Sequence, residues 1–176
     1  LEAQPDNVKN FYQTGKNFNN SIGISGGGDN FLYRLTYANQ ERTLIIPNAK
    51  RSQHQVGVNS SLDITKKLTA SVDFAYTNNN TKGQPQEGYR LDGLNVTQNF
   101  NQWFQRQLDF DRLKNYRNAD GSLQSWNIGD PNGTGDPSLY LAPQYWDSPY
   151  FVINENYGLS SSDRLVGNLG LAYKLN

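Results

Sequence analysis

Apolar and polar positions alternate with a period of two in five stretches of the chain, the pattern of strands whose two faces meet different surroundings. In the first, Phe18, Ile22 and Ile24 fall on one face and Asn17, Asn19, Ser21, Gly23 and Ser25 on the other. Phe31, Tyr33, Leu35 and Tyr37 then oppose Leu32, Arg34, Thr36 and Ala38, and Val56, Val58, Leu62 and Ile64 oppose Gln55, Gly57, Asn59, Ser61 and Asp63. Leu68, Ala70, Val72, Phe74 and Tyr76 oppose Thr69, Ser71, Asp73, Ala75 and Thr77; Leu165, Leu169, Leu171 and Tyr173 alternate with Asn168, Gly170, Ala172 and Lys174. The pattern predicts strands over 17–25, 31–39, 53–64, 68–77 and 164–175.

Between these strands the connections run short, medium, short and very long. Gly26 to Asn30 reads as a hairpin turn whose glycines supply positive φ. Gln40 to Arg51, with Pro47 unable to donate to a ladder, reads as a loop of medium length. Thr65 and Lys66 make a second tight turn, and residues 1–14 read as polar and irregular. The run from Asn79 to Ser162 has no strand alternation and holds all three tryptophans. Loops beyond about 15 residues are uncommon and usually functional or disordered. Its many aromatic residues, among them Phe100, Phe104, Tyr140, Tyr150 and Phe151, argue for order. Thr97 can cap a helix in which Phe100, Phe104 and Leu108 recur at i, i+4 and i+8, predicting a short amphipathic helix from about 98 to 115.

Composition changes the picture at one point. Hydrophobic residues are 35% and mean hydropathy is -0.78, yet aromatics reach 12%, eleven of them Tyr. Few apolar residues with many tyrosines suit a membrane barrel with a wet interior and aromatic girdles. No apolar run is long enough for a transmembrane helix. The 16 basic and 16 acidic residues give no electrostatic bias toward nucleic acid. The chain has no Cys and no Met, so Leu1 reads as the start of a processed product or a fragment.

Each strand is about as long as a tilted bilayer crossing. Short periplasmic turns and long extracellular loops characterise outer-membrane barrels. On that rule the glycine turn and the Thr65 turn are periplasmic, and 40–51 and 79–162 are extracellular. The fold class expected is therefore all-β: about five antiparallel strands of a larger transmembrane β-barrel, with one long extracellular loop containing a short helix. A soluble antiparallel sheet with one buried face gives the same alternation. Five strands cannot close a barrel whose smallest bacterial form has about eight.

Several segments carry a resemblance. NVKNFYQTG (7–15), NSIGISG (20–26), YRLTY (33–37), IIPN (45–48), KLTAS (67–71), FNQWFQRQL (100–108), SWN (125–127), SPYF (148–151) and DRLVGN (163–168) resemble, in order, the barrel region of the SusC/RagA family of TonB-linked outer-membrane transporters. The resemblance implies a barrel of about 22 strands with an N-terminal plug, capped by a SusD-like lipoprotein. It implies uptake of oligosaccharides or peptides driven by the TonB complex. The plug, the TonB-contacting segment and most of the barrel lie outside these 176 residues.

Candidate chemistry is sparse, and no enzyme, cofactor or metal site is expected. The single histidine, His54, stands among polar residues and reads as a surface group. Asp130, Asn132, Thr134 and Asp136 have the alternate-residue oxygens of a calcium loop, but Leu141 stands where the closing acidic residue belongs, so a Gly/Pro-rich turn is expected. The substrate- or partner-binding candidates are Trp103, Trp126 and Trp146, whose flat rings suit a sugar or a capping protein, and Arg106, which pairs with Asp109 or Asp111 or contacts substrate. Arg34, Asn59, Asp73, Asn168 and Lys174 are expected to line a hydrated interior. Phe31, Tyr33, Tyr37, Phe74, Tyr76 and Tyr173 are expected to meet the lipid bilayer.

Overall fold

The computed structural model describes residues 2–98, 104–130, 132–135 and 142–175. They divide into two compact units: a sheet unit of 16–43, 50–81 and 159–176, and a loop unit of 1–15, 44–49 and 82–158.

The sheet unit is one five-stranded antiparallel meander in the order β1-β2-β3-β4-β5. Its strands are β1 (Lys16–Gly28), β2 (Phe31–Thr43), β3 (Lys50–Thr65), β4 (Leu68–Lys82) and β5 (Leu159–Tyr173). The sheet is not closed, so β1 and β5 are edges. All five predicted strands form, and register confirms which residues share a face. Ile22, Tyr37 and Val56 make one cross-strand row, and Ile24, Leu35 and Val58 the next. Asn59 donates to Asp73 at 2.7 Å and Thr69 to Asp63 at 2.6 Å. Those bonds place the polar side of β4 beside the polar side of β3, so Val72, Phe74 and Tyr76 continue the apolar face. Gln40 donating to Asn19 at 2.6 Å and Arg42 to Asn17 at 3.3 Å extend the polar ladder.

Nothing among the described residues covers the apolar face. Ile22 is 64% exposed, Leu169 76% and Leu171 77%. Tyrosines mark its border, where Tyr37 Oη lies 2.9 Å from His54 Nδ1 and Tyr76 Oη donates to Asp163 at 2.6 Å. Beyond that border both faces are polar apart from Phe18: Asn20, Asn39 and His54 share a row, and Asn78 donates to Asp163 at 2.8 Å.

The strands run further than the alternation predicts, and chiefly at this polar end. β2 continues through Thr43, β3 begins at Lys50, β4 reaches Lys82 and β5 begins at Leu159. With both faces polar there is no hydropathy contrast for the sequence to show. The medium loop therefore shrinks to 44–49, and the long connection to 83–158.

The turn prediction at Gly26 to Asn30 is corrected as well. Gly26, Gly27 and Gly28 belong to β1, and none is among the positive-φ residues. They provide room instead. A Cβ on Gly26 would stand 2.7 Å from Tyr33 Oη, and one on Gly28 would stand 2.9 Å from the Phe31 ring. Cross-strand rings laid over glycines pin register and replace the missing side-chain packing. The same arrangement recurs at the other edge, where a Cβ on Gly167 would meet Phe74 at 2.1 Å.

Candidate ligand-binding surface of the loop unit

The loop unit is built around Phe11, 2% exposed, on a short helix α1 (Asn7–Phe11). Its ring meets Tyr12 and Tyr150 edge-on at 5.4 Å and Phe110 at 5.9 Å. The last two come from α2 (Phe110–Leu113) and α3 (Pro149–Asn154). Asp109 caps α2 by accepting from Asp111 N, and Ser148 caps α3 by accepting from Tyr150 N, with Pro149 in the first turn. Ile46, Ala49, Val96, Val152 and Ile153 complete the core. Residues 1–14, expected to be irregular, thus supply its central side chain. The spacing Val8, Phe11, Tyr12 was the available signal.

Side-chain amides tie the segments together, that of Asn7 buried and those of Gln13 and Asn48 half-buried. Asn7 Nδ2 donates to the carbonyls of Arg106 at 2.7 Å and Leu108 at 3.2 Å. Gln13 Nε2 reaches Leu44 O at 2.8 Å. Asn48, at φ 64°, donates to Ile153 O at 2.8 Å. Gly83 N donates to Gly158 O at 2.9 Å, closing the base of the long connection. Arg117 pairs with Glu155 through two guanidinium nitrogens, Nε and Nη2, holding that carboxyl below its ordinary range. Partial burial pushes Asp147 the other way.

The predicted helix over about 98–115 is not continuous. Residues 96–98 are helical, 104–109 are irregular with a turn at 106–107, and helix resumes only as α2. Asn7 accounts for the break, since its amide takes the Arg106 and Leu108 carbonyls that a helix would use internally.

Of the predicted site residues, Trp103 lies outside the described residues. Trp146 is 8% exposed, buried near Gly93, so its ring is not offered to a ligand. Arg106 is exposed and pairs with neither expected partner: Asp109 is engaged as a cap and Asp111 with Lys114 at 2.6 Å. Trp126 is half-buried and meets Phe104 edge-on at 5.9 Å.

Asp130 has a structural use. Its carboxylate accepts from the backbone N–H groups of Asn132, Gly133 and Gly135, the last at 2.6 Å. That bond leads the donors that hold its carboxyl below the usual range. These bonds form the turn expected here; Asp136 and Leu141 lie outside the described residues.

Trp126 forms part of the wall of a cavity of about 750 Å³, lined by residues of 105–113 and 124–128 and by Glu2 and Gln4. Gln105, Gln107 and Gln124 line it, with Gln107 Nε2 donating to Gln105 Oε1 at 3.5 Å and Gln124 Nε2 to Asn115 O, and its charged residues are Arg112, Glu2 and Asp109. Ser125 Oγ and Trp126 Nε1 are closed to solvent and have no hydrogen-bond partner among the described residues. The glutamines escaped sequence reasoning because amides have no periodicity and no motif.

Comparison with known proteins adds no relative: no protein-family model matches the chain, and no curated protein does.

Proposed function

We propose that the chain is part of an outer-membrane, TonB-dependent importer of large nutrients, oligosaccharides or peptides, that works with a SusD-like surface lipoprotein. The observation that carries this reading is the sheet: one face is mainly apolar and bare, the other mainly polar, with tyrosines at the border. On β4 the apolar positions run from Leu68 to Tyr76, about 27 Å along the strand at about 3.4 Å per residue. A tilt of about 40° brings that to about 20 Å, close to the lipid-facing band of a barrel, which is about 25 Å tall. Two open edges, β1 and β5, supply the pairing sites that further strands of a barrel would fill.

In this reading the apolar face meets lipid, the ladder of Asn59, Asp73 and Arg34 faces a hydrated interior, and the tight turns lie in the periplasm. The loop unit lies outside the cell, shaping the mouth and meeting the capping partner. Its work is binding and gated passage, with no bond made or broken.

The second reading is a soluble or surface β-sheet binding module that recognises glycan or protein through its aromatic loop. It is favoured by the loop unit having a core of its own. Detergent dependence separates the two. The barrel reading expects the chain to aggregate in plain buffer and to acquire native near-UV circular dichroism in detergent or lipid. A folded monomer in buffer would refute it.

A further inference from the structure

We infer that the cavity beside Trp126 is a binding site for a neutral oligosaccharide. Its volume of about 750 Å³ falls within the range of ligand sites, about 300–1,000 Å³. The inference deepens the proposed function by choosing between its two substrate classes. It does not rest on the membrane reading, because the cavity lies wholly within the loop unit.

Three features of the wall select the ligand. Gln105, Gln107 and Gln124 each carry donors and an acceptor on one planar group; Gln107 donates to Gln105 and Gln124 to Asn115 O, and the remaining hydrogens and lone pairs match hydroxyls that both donate and accept. The charged residues of the wall are one cation, Arg112, and two carboxylates, Glu2 and Asp109, a balance that disfavours an acidic ligand. The half-buried indole of Trp126 presents apolar ring surface, suited to the C–H face of a sugar ring.

The fourth feature is an unmet need. Ser125 Oγ and Trp126 Nε1 are buried without partners, and a buried donor left unpaired is costly. Both residues line the cavity, so these two groups lie next to a ligand held there. A peptide is recognised differently, through a free strand edge or through pockets for alternate side chains. The cavity wall offers neither, since 105–109 is irregular and 124–128 contributes only single bridges nearby.

The test is a titration of the 176-residue chain in a sugar-free zwitterionic detergent, followed by tryptophan fluorescence and calorimetry. The probes are neutral gluco-, xylo-, manno- and fructo-oligosaccharides, from disaccharide to hexasaccharide, and uncharged peptides of matched length. Saturable binding is expected for at least one saccharide series and for no peptide. Gln107→Ala and Trp126→Phe should each weaken it about tenfold, the effect of losing one good hydrogen bond. Gln86→Ala, outside the cavity, should leave it unchanged. Gln107 is exposed, so its variant stays folded and readable if Trp126→Phe does not. The inference is overturned if no saccharide binds a chain with native near-UV dichroism, if peptides bind instead, or if Gln107→Ala binds as tightly as the parent. Insertion into bilayers, measured separately, tests the importer reading; binding without insertion, or insertion without binding, shows which of the two has failed.

Discussion

Replacing Phe11 by Ala tests whether the loop unit has one core that depends on the first residues of the chain. Phe11 is 2% exposed and touches three aromatic rings from three segments. Truncating a buried Phe costs about 3–5 kcal/mol through lost transfer energy and the cavity left behind. The edge-on ring contacts sit at the upper end of that range, since each such pair adds about 0.5–1.5 kcal/mol. We expect about 4 kcal/mol, close to a thousandfold rise in the population of the opened unit. Amide hydrogen exchange in detergent reads this directly: protection should fall in 44–49, 104–113 and 149–154 together, while β2 and β3 keep theirs. Phe18→Ala, at a residue 62% exposed on the apolar face, is the control and should leave those three segments unchanged. A loss below about 1 kcal/mol, or loss of protection in one segment alone, refutes the shared core.

Further outcomes follow from other contacts. Val72→Arg, in the middle of the apolar face, should cost about 2–4 kcal/mol on refolding into bilayers if that face meets lipid, and little if it meets water. Gly167→Ala should destabilise the sheet by about 1–3 kcal/mol, because its Cβ would stand 2.1 Å from the Phe74 ring and 3.0 Å from Asp73 O; equal denaturation midpoints would count against the ring-over-glycine packing. The Glu155 carboxyl is lowered in the folded unit by Arg117, so its stabilisation is present above the ordinary value of 4.5 and is lost as pH falls through the lower folded value. Acid titration should therefore show a fall in loop-unit stability below that value which Glu155→Gln removes. Asp147 is raised by burial, so it opposes folding once ionised: Asp147→Asn should stabilise the unit at neutral pH and do nothing at pH below the ordinary value of 3.8.

The centre of each strand is legible in the sequence, because there the faces meet opposite surroundings and Val72 and Asp73 cannot exchange roles. The strand ends are illegible for the converse reason: Asn78, Asn80 and Ser160 to Ser162 are polar on both faces. The glycines of β1 announce a turn by composition, whereas their use, room beneath Tyr33 and Phe31, depends on a partner strand. The helix forecast over 98–115 rests on local periodicity and fails where a distant amide, that of Asn7, takes the carbonyls. Of the candidate site, the tryptophans stand out by residue type, but burial of Trp146 against half-exposure of Trp126 is decided by packing alone.

The reach of α1 bears on the order in which the molecule is made. Asn7 bonds carbonyls 99 and 101 residues further on, and Asn48 one 105 residues away. The β1-β2 and β3-β4 hairpins close over a few residues each and can form as soon as they are synthesised. The loop unit has no such option, because contacts of long sequence separation must wait for loop closure. Phe11 is made long before Phe110 and Tyr150 and stays without those two rings until they follow. Loop-unit formation is thus a late event that requires nearly the whole chain, and truncation before α3 removes it while leaving β1 to β4 free to pair.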